Sequence, residues 1–178
     1  DDLLSADGII FDCDGVLIDI TKSYDLTIDK TVKYVLENFS QTTNSIEINS
    51  KIIDGFKSSG GFNDEVDLTY AAILSLVAAK KLNKSQHEFI FDVIYNADSS
   101  GILSVEKYLK KLVDISDIKN KLSYPGTHHD NPLYQIFDQI FYGPELYSKI
   151  FKHKSQFSEL GLIENDVIIV NKFLIEKL

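Results

Sequence analysis

The sequence predicts an α/β protein in which one short buried strand feeds a long helical insertion. Three observations carry this reading. An apolar run, Gly8-Ile9-Ile10-Phe11, ends abruptly in Asp12-Cys13-Asp14-Gly15-Val16, as a buried strand ends in a turn. From Lys22 onward, apolar residues recur at helical rather than alternating spacing. One strand followed by five or more helices is unusual for a free-standing α/β domain, and makes sense if the helices are inserted after the strand.

The strand matters for what it carries. Side chains alternate along a strand, so Asp12 and Asp14 share a side and stand roughly 7 Å apart. The carboxyl ends of strands are where open α/β sheets place ligands. There one carboxylate can attack an electrophile while the other moves protons. Together they form a hard oxygen site suited to Mg²⁺. An Asp-x-Asp-Gly turn also opens calcium loops, but the residues that follow, Val16-Leu17-Ile18, are apolar where such a loop needs oxygen ligands. Cys13 alternates away from the two acids and reads as a small buried hydrophobe.

The helices follow in order. Lys22–Phe39 places Leu26, Ile28, Val32, Val35, Leu36 and Phe39 on one face. Gln41–Ser45 is a polar linker, and Ser50–Lys57 a short helix. Asp67–Leu82 is apolar nearly all round, which predicts the centre of a helical bundle. Ser85–Ala97 and Ser104–Val113 are helices separated by Asp98-Ser99-Ser100-Gly101. Lys121–Asn131 reads as a loop around Pro125-Gly126. Asn131 caps a helix whose first residue is Pro132 and which runs to Tyr142. Gly143-Pro144 breaks it, and a further helix reaches Phe151. Asn165–Leu178 is amphipathic at helical spacing, although Val167-Ile168-Ile169-Val170 would also suit a strand.

Composition narrows the function. The chain has 178 residues, 44% of them hydrophobic, enough for a proper core. Its net charge is −9 and all 18 basic residues are Lys. An acidic chain without Arg is a poor nucleic-acid partner and must use Lys for anions. The apolar run around Tyr70–Ala79 is too short for a bilayer, so no membrane role is expected. A lone cysteine leaves no internal disulfide and fits a reducing cytoplasm.

Phe11-Asp12-Cys13-Asp14-Gly15-Val16-Leu17 resembles the first motif of the haloacid dehalogenase superfamily, most of whose members are Mg²⁺-dependent phosphatases. The resemblance implies a Rossmann-like core with an inserted α-helical cap. The first strand and motif would occupy residues 1–19 and the cap residues 20–125. Residues 126–178 would return to the core, which stops before the second motif. It implies that Asp12 is the nucleophile, forming an aspartyl-phosphate, and that Asp14 is the general acid/base. Mg²⁺ would bind the Asp12 carboxylate and the Asp14 carbonyl. The substrate would be a small phosphorylated metabolite. Dehalogenases usually lack the second Asp, so Asp14 favours phosphoryl transfer.

A second stretch, Gly55 to Asp67, lies between two helices. Gly60-Gly61 permits positive φ and close backbone approach. Lys57 brings a positive charge, and Ser58, Ser59 and Asn63 bring hydrogen-bonding groups. It resembles the substrate-specificity loop of the helical caps in that superfamily, which implies that Lys57, Gly60, Gly61 and Asn63 contact substrate. The plain alternative is a helix–helix loop with Asp67 as N-cap.

Other candidates are weaker. Thr127-His128-His129-Asp130 lacks the i,i+4 spacing of a helical His pair and reads as a solvated loop. His87 and His153 fall on helix surfaces or ends. Lys107, Lys110 and Lys111 form a solvated basic face.

The resemblance also requires a Ser or Thr that binds the phosphoryl group, a Lys that stabilises the aspartyl-phosphate, and a late acid for Mg²⁺. None is recognisable after Leu17. With no Met and a start at Asp1-Asp2, the sequence reads as part of a larger protein whose core is completed by a C-terminal half or by another chain. Such a part is expected to lack activity alone. A phosphomutase would use the same two acids, and a non-catalytic binding subunit could retain the motif.

Overall fold

Where the sequence predicts a buried strand, residues 8 and 10–12 take no regular structure, and the turn expected at Gly15 follows. The computed structural model describes residues 8, 10–128 and 130–170. Residues 10–13 form no strand; Ile10 is fully exposed and Phe11 and Cys13 are exposed too. Ile9 lies outside the described residues. Strand β1 is only Ile18–Asp19, and it pairs antiparallel with β2, Val167–Ile168, in the register Ile18–Ile168 and Asp19–Val167. Among the described residues this two-stranded ribbon is the whole sheet.

The expected α/β Rossmann-like core is therefore corrected: the described chain is mostly helical. The physical reason is that a strand is stable only when neighbours pair its N–H and C=O groups and cover its side chains. Nothing among the described residues does this for residues 10–13. The same absence leaves Cys13 in solvent rather than buried.

The helical body follows the sequence closely. Helix α1 is Thr21–Ser40 and buries Ile28, Val32, Val35 and Leu36. Gln41 ends it in the left-handed region at φ 51°. Helix α2, Ser50–Ser58, is capped by Asn49, whose Oδ1 accepts from Ile52 N at 3.2 Å. Helix α3, Glu65–Lys81, is the expected centre of the bundle: Val66 and then every residue from Leu68 to Ala79 is buried. It packs against α1, α2 and the later helices α4 (Gln86–Tyr95), α5 (Ile102–Lys110), α6 (Ser116–Leu122) and α7 (Pro132–Phe151). Its cap is Asp64 rather than Asp67. Asp64 Oδ1 accepts from Val66 N at 2.7 Å and Asp67 N at 3.3 Å. Asp67 instead accepts the Tyr124 hydroxyl at 2.5 Å.

Helix α6 reaches into the segment expected to be a loop, leaving the loop at 123–131. As expected, Asn131 caps α7, its Oδ1 accepting from Leu133 N at 2.9 Å, with Pro132 first in the helix. Gly143, at φ 71° and ψ 172°, folds the second half of α7 away from the first. A Cβ on Gly143 would lie 2.3 Å from Gly161 N, so only glycine allows that approach. A 3₁₀ turn, Leu162–Asn165, packs on α1 and α7 and leads into β2. The amphipathic helix expected over Asn165–Leu178 is thus replaced at its start by the 3₁₀ turn and strand; residues 171–178 lie outside the described residues. No described helix is long and apolar enough to cross a membrane.

Candidate active site

The Asp12-x-Asp14 motif is a tight turn closed on one carbonyl. Cys13 O accepts from Leu17 N at 2.8 Å, Ile18 N at 3.0 Å and Val16 N at 3.4 Å, and Gly15 N donates to Ile18 O at 2.8 Å. Gly15 makes the reversal at φ +73°, where L side chains are strained. Asp14 bridges Ile18 and so joins the turn to the ribbon. Both carboxylates are exposed. Asp12 Oδ1 accepts from Cys13 N at 2.8 Å. No backbone N–H among the described residues donates to the Asp14 carbonyl.

Helix α1 starts two residues after β1, which sets its first turns beside the motif. Asp19 Oδ1 accepts from Thr21 N at 3.0 Å, and hydrogen bonds from the Thr21 backbone and hydroxyl hold the Asp19 carboxyl below its usual range. Tyr24, one turn on, is half-buried and stacks on Phe141 with ring centroids 4.6 Å apart. Burial first, then the charges of Glu65 and Asp14, push its phenol up to about 12. Tyr142 and Asp166 contribute in the same direction. Asp166, placed by the β1–β2 pairing, keeps Oδ1 shut off from solvent with no hydrogen-bond donor among the described residues.

The predicted specificity loop faces the same end of α1. Lys57, in the last turn of α2, pairs with Glu65 at 3.2 Å. Half-buried Asp25 has its carboxyl raised by burial, with Lys57 pulling it down and Asp54 and Glu65 pushing it up. Tyr24 and Asp25 are adjacent on α1. One lies in the field of Asp14 and Glu65, the other in that of Lys57 and Glu65. The charges of the motif and of the loop thus both act on the first turns of α1.

The two loop glycines differ. Gly60 takes φ +83° with room for a Cβ in ordinary contact with Ser99 at 4.0 Å, whereas Gly61 is pressed backbone to backbone against Gly101. Gly61 therefore shapes the loop from behind. Asn63 is exposed, directly before the cap of α3.

Two oxygen donors, the Asp12 carboxylate and the Asp14 carbonyl, match the preference of Mg²⁺, which binds a few protein oxygens and keeps several waters. The described residues contain no cluster of three or more His, Cys, Asp or Glu side chains able to hold a metal.

His128 lies on the loop and is exposed, as expected, yet its ring is packed on one side. Its ring lies 4.3 Å from that of Tyr134 and 5.8 Å from that of Phe151, and Nε2 is 3.4 Å from Asp138 Oδ2. His129 lies outside the described residues. His87 and His153 are exposed, as are Lys107, Lys110 and Lys111.

No family model matches the chain, and no curated protein matches it. Among solved structures it is similar to phosphatase Tt82 from Thermococcus thioreducens, with a TM-score of 0.60 and 22% identity over 94% of this chain and 56% of that one. At this identity the likeness is one of fold. The chain spans little more than half the length of that phosphatase.

Tyr24, Glu65, Asp166 and Asp138 were not legible as site residues. Tyr24 and Glu65 sit on helices whose periodicity says only which face is buried. Asp166 and Asp138 acquire their surroundings through the ribbon and the α7 kink.

Proposed function

We propose that this chain carries the nucleophile motif and the specificity element of a Mg²⁺-dependent phosphomonoester hydrolase of the haloacid dehalogenase type, acting on a small phosphorylated metabolite. The observation that carries the reading is the Asp12-Cys13-Asp14-Gly15 turn at one end of a helical body whose fold is that of a known phosphatase. The Lys57 loop at the same end supports it.

In this reading Asp12 attacks phosphorus and the ester oxygen departs with the bonding pair. Asp14 gives its proton to that oxygen. Asp14 then takes a proton from water, which attacks phosphorus, and the Asp12–phosphate bond breaks. Mg²⁺, held by the Asp12 carboxylate and the Asp14 carbonyl, would neutralise phosphoryl charge. Lys57 holds the non-reacting part of the substrate. The phosphoryl-binding Ser or Thr, the Lys and the last acid come from residues beyond these 178 or from another chain. Ile10, Phe11, Val16, Val167, Ile168 and Ile169, all exposed around the motif and ribbon, form an apolar surface for such a neighbour.

The test is hydrolysis of phosphomonoesters by the protein carrying this segment, with Mg²⁺ in ¹⁸O-labelled water. Released phosphate containing one solvent oxygen is expected. Return of the phosphoryl group to substrate without solvent oxygen would mark a mutase instead, and no turnover of any ester would overturn the reading.

A further inference from the structure

The kink in α7 builds a second cavity that the proposed chemistry does not use. Its volume is about 400 Å³, near the lower end for a small-molecule site. The first half of α7 supplies Asp138, which is only 8% exposed. The second half, folded back at Gly143, supplies Tyr147 and Phe151, whose rings lie 4.8 Å apart. His128 stacks on Phe151 and completes the aromatic wall beside Asp138. His153 and Lys154, just after α7, are exposed lining residues, and so is Asp130. The cavity thus has a buried acid beside aromatic rings and an exposed rim that carries both Lys154 and Asp130.

That polarity discriminates between ligands. A simple anion would meet Lys154 but would be driven toward the Asp138 carboxyl. A simple amine would gain Asp138 but leave Lys154 unused. We propose that this cavity binds a small zwitterion, its ammonium group against Asp138 beside the Tyr147 ring and its anionic group against Lys154. Burial, with a further push from Asp64, raises the Asp138 carboxyl to about 7, so the site holds a carboxyl that an arriving cation would ionise. The shared chemistry, an amine joined to an anion, is found in amino acids and in aminoalkyl phosphates. The proposal is independent of Asp12 and Asp14.

The test is calorimetric titration of the protein carrying this segment with four probes: β-alanine, phosphoethanolamine, ethylamine and inorganic phosphate. At least one of the first two should bind at least tenfold more tightly than both single-charge probes, and which of them does so identifies the source of the anion. Asp138→Asn and Lys154→Ala should each weaken that binding at least tenfold. Lys154 is on the surface, so its variant and the ranking of probes decide the matter even if Asp138→Asn fails to fold. Equal or tighter binding of phosphate or ethylamine, undiminished binding by Lys154→Ala, or no binding of either zwitterion at millimolar concentration would overturn the proposal.

Discussion

Gly61 and Gly101 meet backbone to backbone: a Cβ on Gly61 would lie 2.4 Å from Gly101 N, and a Cβ on Gly101 would lie 2.4 Å from Gly61 O. This contact fastens the loop after α2 to the start of α5, so Lys57 and Glu65 flank a loop braced from behind. Gly61→Ala forces two backbones apart and is expected to cost about 1–3 kcal/mol, the range for overpacking. Gly60→Ala meets only an ordinary contact with Ser99 at 4.0 Å and pays for positive φ, roughly 1 kcal/mol. Urea denaturation of the two variants should rank Gly61→Ala as the more destabilised; the reverse order would refute the bracing role.

The Lys57–Glu65 pair separates structure from function by magnitude. The Lys57 side chain is 44% exposed, and such pairs contribute roughly 0–1 kcal/mol. Lys57→Ala should therefore leave the denaturation midpoint nearly unchanged. If Lys57 holds substrate, the same variant should raise KM or shift preference among substrates, while small esters that do not reach the loop are still hydrolysed. A uniform fall in kcat on all substrates with KM unchanged would rule out the binding role.

Asp138 ties stability to pH. Its folded value near 7 lies above the ordinary carboxyl value of about 3.9, so between those limits the folded state holds more protons than the unfolded state. Unfolding free energy should therefore fall as pH rises from about 4 to about 7, by on the order of 2–4 kcal/mol. Asp64 adds to the shift by charge, and His128, Tyr142 and Tyr147 are its other titratable neighbours, the two phenols being uncharged across this range. Asp138→Asn should flatten this part of the profile. An unchanged slope would mean that Asp138 is ionised throughout.

Most of the helical body was legible because helix signals are local. The apolar face of α1, the all-round burial of α3, and the Asn131-Pro132 start of α7 each depend on residues within a few turns. The strand expected from Gly8-Ile9-Ile10-Phe11 failed for the opposite reason. Its residue types suit a strand, but pairing partners are a tertiary matter. Helix α6 was missed because seven mixed residues carry too little periodicity. Asp12, Asp14 and Lys57 stood out as motif residues, whereas Tyr24 and Asp166 became visible only when the chain brought them together.

Asp14 is separable from Asp12 by leaving group. Asp14→Asn removes the proton donor and the base for water, which typically costs 10²–10⁴-fold. Single-turnover phosphorylation by an ester with an excellent leaving group should suffer far less than by an alkyl ester. Equal losses on both would contradict the acid/base role.

The central claim is that phosphate passes through Asp12. The protein carrying this segment should be mixed with Mg²⁺ and a phosphomonoester, quenched in acid during turnover, digested, and mapped by mass spectrometry. The account predicts one phosphoryl group on the Asp12 side chain, and neither that adduct nor turnover in Asp12→Asn. Turnover with phosphate carried on a Ser or His side chain, or undiminished turnover by Asp12→Asn, would contradict it.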